Sequence, residues 1–371
     1  MSALDELLNN LPNTEHLDVS ALPEPILYIG AVGFEDRAFG VLNEALRVGK
    51  KIQRIISIEY RPYNEKNRIV EYKDTLNRLA LPEANTHWSI YDRYVPDEFI
   101  EDIFKIVNFI PANYNIVVDI SAMSKLLIVV LLHGLRELSN RITIVYTEAE
   151  TYHPIPEVYN AKKTEWDRET ENPPVFLTTD IYNIVTTQSL SSVAMQGSPL
   201  LMVAFPTFNH RELIALVNDI TPQHLILLEG RPHEGHNYWR QEAIRHLNRK
   251  IIQGSFSKDD FPPEEKKVIS TFDYKETIRL LEEIYIHYKY NRKIIVAPTG
   301  SKLQSFGIFL FKQMHPDIQI IYPVTKGFAN EYTEGSHALW QIVVDNFANC
   351  NNVLNAYRRY TLHELKRLLT F

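Results

Sequence analysis

The sequence predicts an α/β chain of two tandem three-layer domains with mostly parallel sheets, related by internal duplication. Three observations carry that reading. The segments IIVAP, HLILLEG, NIVVDI and RITIVYT are unbroken apolar runs rich in Ile and Val, the pattern of strands covered on both faces. These runs alternate with helical patterns of ten or more residues, as right-handed βαβ crossovers require. The same series of landmarks also occurs twice along the chain. Each half is therefore expected to be Rossmann-like.

The elements follow in order. Residues 1–22, beginning MSALDELLNN, carry acidic residues and no basic start followed by an apolar run. They read as an N-terminal extension, not a secretory leader. The first copy opens with a strand and amphipathic helix in ILYIGAVGFEDRAFGVLNEAL (Ile26–Leu46). RIISIEYRPYNEKNR, NIVVDISAMSKLLIVVLLHGL and RITIVYTEAE follow. The second copy runs LLMVAFPTFNHRELIALVNDI (Leu200–Ile220), HLILLEGRPHEGHNYWR, KIIVAPTGSKLQSFGIFLFKQM and DIQIIYPVTK. Phe34 and Arg37 align with Phe208 and Arg211, and Glu59, Arg61 and Pro62 with Glu229, Arg231 and Pro232. Ser124-Lys125 aligns with Ser301-Lys302. Each copy reads strand, helix, strand, helical region, strand, helix, strand. The expected division is a first domain at 23–163 and a linker at 164–196, with a charged stretch and Pro173-Pro174. A second domain at 197–345 and a helical tail at 346–371 complete it.

Composition narrows the function. With 371 residues, 45% hydrophobic and 23% charged, the chain has apolar material for two cores, which excludes a disordered or disulfide-stapled protein. A net charge of −7 gives no overall attraction to double-stranded DNA or an anionic membrane, so any polyanion must meet a local basic cluster. One cysteine, Cys350, excludes a multi-cysteine zinc site and fits a reducing cytosol. The most apolar stretch, Leu126–Leu135, is about half the length needed to cross a bilayer. A cytoplasmic protein without metal or cofactor is expected.

Open parallel sheets bind ligands beyond the carboxyl ends of their strands, where the strand order reverses. The chemically suggestive residues fall there. Ser121, Ser124 and Lys125 follow strand NIVVDI, and Thr299, Gly300, Ser301 and Lys302 follow IIVA. A small hydroxyl-bearing loop that opens a helix offers backbone N–H groups and the positive end of the helix dipole, and the lysine adds a full charge. A phosphate or an oligonucleotide backbone is the expected occupant. Plain helix capping by Ser and Thr is the alternative. Arg37, Arg211, Arg61 and Arg231 lie at strand ends where a guanidinium can hold phosphate, and Glu59 and Glu229 can accept ribose hydroxyls. Alternatively, arginines and glutamates pair with one another and close the rim. PTGSK lacks the P-loop spacing and no G-x-G-x-x-G follows a strand, which argues against a conventional NTPase or NAD enzyme. His233, His236 and His246 lie near Glu234, and the H-x-x-H spacing of His233 and His236 invites a metal reading, but no ligand triplet with helical i,i+4 spacing is present; His233 or His236 could instead serve as an acid or base beside a phosphate. No catalytic residue is assigned.

APTGSK (Ala297–Lys302), with the degenerate DISAMSK (Asp119–Lys125), resembles the small-hydroxyl-plus-lysine loop of CARF-type sensor domains, the Rossmann-fold domains of CRISPR-associated and related antiviral proteins. The chain also resembles bacterial phage-defence-associated proteins carrying G-F-E-x-R near the start and D-I-S-x-M-S-K in the middle. The resemblance implies a cyclic oligonucleotide or other phosphorylated small molecule bound near the interface of two copies, in a sensor or adaptor of antiviral defence. Two copies are fused here and no nuclease, TIR or helix-turn-helix module is recognisable. That implies a separate effector protein, with homo-oligomerisation open. The other readings are an enzyme acting on a nucleotide or phosphoester, such as a ring nuclease or phosphoribosyl enzyme, and a structural subunit of a defence complex.

Overall fold

The computed structural model describes residues 2–169, 174–178, 180–255, 264–328 and 332–357. The chain divides into two compact units. Unit 1 is Met1–Glu150 with Thr333–Phe371, and unit 2 is Thr151–Tyr332.

Unit 1 begins with α1 (Ala3–Asn10), whose Ser2 and Asp5 form a capping box, and a short strand β1 (Glu15–His16). The alternation then starts: β2 (Ile26–Ala31), α2 (Gly40–Val48), β3 (Arg54–Arg61), α3 (Ile69–Arg78), β4 (Thr86–Asp92), α4 (Phe99–Phe109), β5 (Asn115–Asp119), α5 (Lys125–Leu135) and β6 (Ile142–Thr147). Unit 2 carries β7 (Thr151–Tyr152), α6 (Pro156–Glu169) and β8 (Ile181–Val185). The same alternation follows in β9 (Leu200–Ala204), α7 (His210–Ile220), β10 (His224–Arg231), α8 (Trp239–Ser255), β11 (Glu264–Ser270), α9 (Tyr274–Tyr288), β12 (Lys293–Ala297), α10 (Lys302–Met314), β13 (Gln319–Ile320) and β14 (Tyr322–Thr325). The chain returns to unit 1 with β15 (Thr333–Glu334), β16 (Leu339–Val344) and α11 (Phe347–Ala356).

The sheet of unit 1 has the order β1-β16-β6-β5-β2-β3-β4, parallel from β6 to β4 with β16 and β1 antiparallel at one edge. The sheet of unit 2 has the order β11-β10-β9-β12-β13, all parallel, and β14 pairs antiparallel with β8 beside it. The five parallel strands are thus permuted identically in the two units. In chain order, the first strand lies between the second and the fourth.

Burial follows from the apolar runs. β2 and β5 are buried along their whole length, as strands covered on both faces must be. On one face Tyr28, Ile55 and Val117 pack against Val41, Leu42 and Ala45 of α2 and Tyr72 and Leu76 of α3. Helix α5 is apolar nearly all round and packs beside α4, which places it in the core. Cys350 is buried in α11, and burial pushes its thiol up to about 12, so it stays an unreactive thiol.

Three expectations need correction. The region expected to be helical between the second and third strands is helix–strand–helix in both units and contains β4 and β11. The chain does not divide at 164–196: α6 and β8 within that span belong to unit 2, while β16 and α11 join unit 1 and not the second domain or a free tail. Residues 170–173 and 179 of the expected linker, and 358–371 of the expected tail, lie outside the described residues.

Candidate functional site

In unit 1 the strand order reverses between β2 and β5, which pair with Gly30 opposite Asp119. The loops leaving those two strands, residues 32–35 and 120–124, therefore flank the crevice where open parallel sheets bind ligands. They approach closely: a Cβ on Gly33 would lie 2.9 Å from Ala122 Cβ. In unit 2 the reversal falls between β9 and β12, and the Thr299–Ser301 loop lies there. The tertiary structure thus puts both Ser-Lys loops at equivalent points.

Their chemistry differs. In unit 1 the base of the loop is the buried Asp119 carboxylate, which accepts from the Tyr28 hydroxyl at 2.9 Å, from Ser121 N–H at 2.9 Å and from the Ser121 hydroxyl. Burial and the neighbouring Asp119 carboxylate raise the Tyr28 hydroxyl well above the usual phenol range. Ser121 Oγ also accepts Thr147 N–H at 2.7 Å and is fully buried, so it is a structural joint and not a ligand group. The top of the loop hangs on Tyr60 of β3, whose hydroxyl accepts Ser124 N–H at 2.6 Å and donates to the Ala122 carbonyl at 3.2 Å. Burial raises that phenol too, so Tyr60 is a neutral prop for the loop. Ser124 caps α5 by accepting Leu127 N–H. What remains open is the Lys125 ammonium with the backbone N–H groups of Ala122, Lys125 and Leu126. Among the described residues none of these has a hydrogen-bond or ion-pair partner.

In unit 2 the corresponding groups are spent internally. Thr299 Oγ1 donates to the Phe205 carbonyl at 2.8 Å and accepts Phe205 N–H at 3.0 Å. Ser301 accepts Gln304 N–H, donates to the Thr271 carbonyl at 2.5 Å, and closes a capping box in which Gln304 Oε1 accepts Ser301 N–H. Gly300 is there for space, since a Cβ would come within 2.1 Å of Gln304 Oε1 and 3.0 Å of Phe205 Cβ. Thr299, Gly300 and Ser301 therefore form a staple between β9, β12 and the start of α10. Capping explains this loop. Lys302 stands half-buried at the first helical position and has contacts of its own.

The two lysines are electrostatically unusual. Helices α1, α3, α4, α7 and α9 carry an acidic residue in their first turn, the arrangement the helix dipole favours. Helices α5 and α10 carry none and open on lysine. A cation at that position is locally unfavourable by about 0.3–1 kcal/mol.

The charged rim residues separate in the same way. Arg37 is 5% exposed and locked to Glu35 through Nε at 3.1 Å and Nη2 at 2.7 Å. Its counterpart Arg211 is exposed on one side and paired with Asp180. Glu229 is buried against Arg245 of α8 at 2.7 Å, and Arg231 pairs with Glu276 of α9 at 3.0 Å. The rim-closing alternative thus accounts for Arg37, Arg211, Glu229 and Arg231. Arg245 and Glu276, which take two of those partners, carry no sequence signal beyond their charge. Glu59 and Arg61 of β3 have no side-chain partner among the described residues. Strand alternation puts them with Ser57 on the α2/α3 face, whereas Tyr60 points to the α5 face where Ser124 lies. Glu59 and Arg61 therefore border the crevice from one layer and Lys125 from the other, and among the described residues no hydrogen bond or ion pair joins them into a fork. Of the histidines, His233 stacks on Phe272 at 4.1 Å, and His236 lies 3.3 Å from Glu234.

No protein-family model matches the chain, and no curated protein sequence matches it. Among solved structures it is similar to one described as a Type III CRISPR defence DNA nuclease activated by cyclic oligoadenylate, with a TM-score of 0.49 and 10% sequence identity. The match covers 80% of this chain and 65% of that one, so the chain spans just under two thirds of the other protein's length. No helix among the described residues is long and apolar enough to cross a membrane.

Proposed function

We propose that the protein is a nucleotide- or cyclic-oligonucleotide-binding sensor or adaptor of prokaryotic antiviral defence, and that the anion is held by unit 1. One observation carries the reading. At the strand-order reversal of unit 1, Lys125 stands without a carboxylate partner at the head of α5, above the open N–H groups of Ala122, Lys125 and Leu126. A positive helix end, open donors and a full charge suit a phosphate or phosphodiester. Glu59 and Arg61 on the other layer suit ribose hydroxyls and a second phosphate. The Thr299–Ser301 loop of unit 2 serves the fold, and Lys302 adds charge at its edge. The defence assignment rests on the APTGSK, DISAMSK and GFEDR motifs. Binding is favoured over catalysis because the crevice residues of unit 1 include no histidine, activated hydroxyl or paired carboxylates placed for acid–base work.

The test is a thermal-shift and calorimetric screen against AMP, linear oligoadenylates, cyclic di-, tri-, tetra- and hexanucleotides, and inorganic phosphate. Saturable binding of a phosphorylated member supports the reading, and absence of any binding refutes it. Chromatography of the bound ligand after overnight incubation separates the sensor from the enzyme: unchanged ligand means a sensor.

A further inference from the structure

The carboxyl end of β3 carries three side chains whose counterparts in unit 2 are all engaged. Glu229 is held by Arg245, Arg231 by Glu276, and the His233 ring stacks on Phe272 at 4.1 Å. The matching residues of unit 1 are Glu59, Arg61 and Tyr63. Among the described residues none of these three has a side-chain hydrogen bond, an ion pair or a ring contact, and Tyr63 is 59% exposed. A single exposed tyrosine means little in a folded protein. Three alternate positions that are spent in one unit and open in the other mean more.

The loop after β3 places Tyr63 at the crevice. Asn67 N–H donates to the Asn64 carbonyl at 2.9 Å and Lys66 N–H to Asn64 Oδ1 at 3.1 Å, which closes a turn over Asn64–Asn67. The ends of such a turn lie within about 7 Å of each other, so Tyr63 and Arg68 stand side by side at its mouth. Arg68 N–H donates in turn to the Gly33 carbonyl at 3.1 Å. Gly33 is the residue of the β2 loop that closes on Ala122, in the loop that leads to Lys125. The Arg68 guanidinium fixes this end further, pairing with Asp36 and Glu71 and lying 4.7 Å over the Phe39 ring. Tyr63 is therefore presented beside the crevice on a loop fastened at one end by β3 and at the other by Arg68. A ligand that uses it has little ordering left to impose.

We propose that Tyr63 is a stacking platform for a nucleobase, and that the anion of unit 1 belongs to a nucleotide and not to a sugar phosphate or free phosphate. The inference rests on the function proposed above and narrows its ligand class. A phenol ring is a flat, polarisable surface with two torsions to fix, and every base presents a π-face to it. Arg61 and Glu59, two and four residues upstream, supply the charge and the acceptors for the phosphate and ribose that a stacked base brings with it. In unit 2 the corresponding ring is already covered by Phe272, so no second platform stands at that position.

The test is calorimetric titration of the full chain with AMP and ribose 5-phosphate, which differ only in the base, and with linear triadenylate and the cyclic dinucleotides of the screen. Tyr63→Ala weakens the base-bearing probes about 5- to 150-fold and leaves ribose 5-phosphate binding as in wild type. Tyr63→Phe and Tyr63→Trp keep nucleotide affinity, since either ring stacks, and the new indole of Tyr63→Trp is quenched by AMP but not by ribose 5-phosphate. Melting temperatures stay at the wild-type value because Tyr63 is exposed, so a loss of binding is not a loss of fold. Unchanged nucleotide affinity in Tyr63→Ala, an equal loss for ribose 5-phosphate, or a loss in Tyr63→Phe as large as in Tyr63→Ala overturns the platform. His233→Ala is the control and leaves nucleotide affinity as it is; a larger loss there than in Tyr63→Ala assigns the base to unit 2 and also overturns it. If wild type binds none of these probes, the proposed function fails and the platform with it. If wild type binds nucleotides and Tyr63→Ala is silent, the platform alone fails.

Discussion

Lys125→Ala separates a ligand group from a structural one because the two roles have opposite signs. The ammonium is half-buried at the first position of α5 and has no partner among the described residues. Removing it costs the fold no ion pair and relieves a cation at the positive helix end, a gain of about 0.3–1 kcal/mol. For a unit of this size that raises the melting temperature by about 1–3 °C. The ligand loses a charge-assisted hydrogen bond of about 1.5–3 kcal/mol, which weakens binding about 10- to 150-fold. The assay is calorimetric titration of the tightest ligand from the screen, paired with thermal unfolding in its absence. Lys302→Ala is the control, and the proposal gives it the smaller effect on affinity. Raised salt weakens the wild-type complex more than the variant complex, because the lost contact is electrostatic. A variant that unfolds earlier yet binds as tightly as wild type would falsify the anion-site argument. A larger loss of affinity in Lys302→Ala would move the site to unit 2.

Three further outcomes follow from the same contacts. Ser301→Ala removes the α10 cap and the bond to the Thr271 carbonyl, destabilising unit 2 by about 1–2 kcal/mol in denaturant unfolding while leaving ligand affinity within twofold of wild type; a larger affinity loss would return that loop to the binding site. Arg37→Ala strands the buried Glu35 carboxylate and lowers stability by about 3–5 kcal/mol, read as loss of melting temperature. Retained stability would mean that Arg37 is held for a ligand and not for the fold. His210, buried at the head of α7, is pushed down to about 4 by burial and by the neighbouring Arg211 charge. Its unfolded form takes a proton near pH 6.5 and the folded form only near 4. Stability therefore falls as pH drops through that window, by about 3 kcal/mol in total. His210→Gln flattens the slope between pH 6.5 and 4 in urea titrations, and an unchanged slope refutes the assignment.

The apolar strands and the two Ser-Lys loops were readable from the chain because continuous Ile/Val runs have no other stable place than a covered sheet. The loops after such runs then fall at the carboxyl edge. Strands β4 and β11 were not readable for the converse reason. THWSIYD and EEKKVIS end their sheets at the edge, carry polar residues through most of their length, and so lack the apolar signature. The return of β16 to the first sheet was hidden as well, since antiparallel pairing with β6 joins residues almost two hundred positions apart and leaves no local trace.

An α/β chain with parallel strands and hydroxyl–lysine loops after them can be read from short stretches of residues, because periodicity and composition act over short windows. Which of those groups remain open depends on partners that the fold brings to them, most of them from far along the chain. Glu229 meets Arg245, Ser301 meets Thr271 and Arg37 meets Glu35, whereas Lys125 meets no acid among the described residues. Whether a polar group is spent or open depends on what the fold brings within about 3 Å of it. Two segments that align in sequence can therefore differ completely in chemistry.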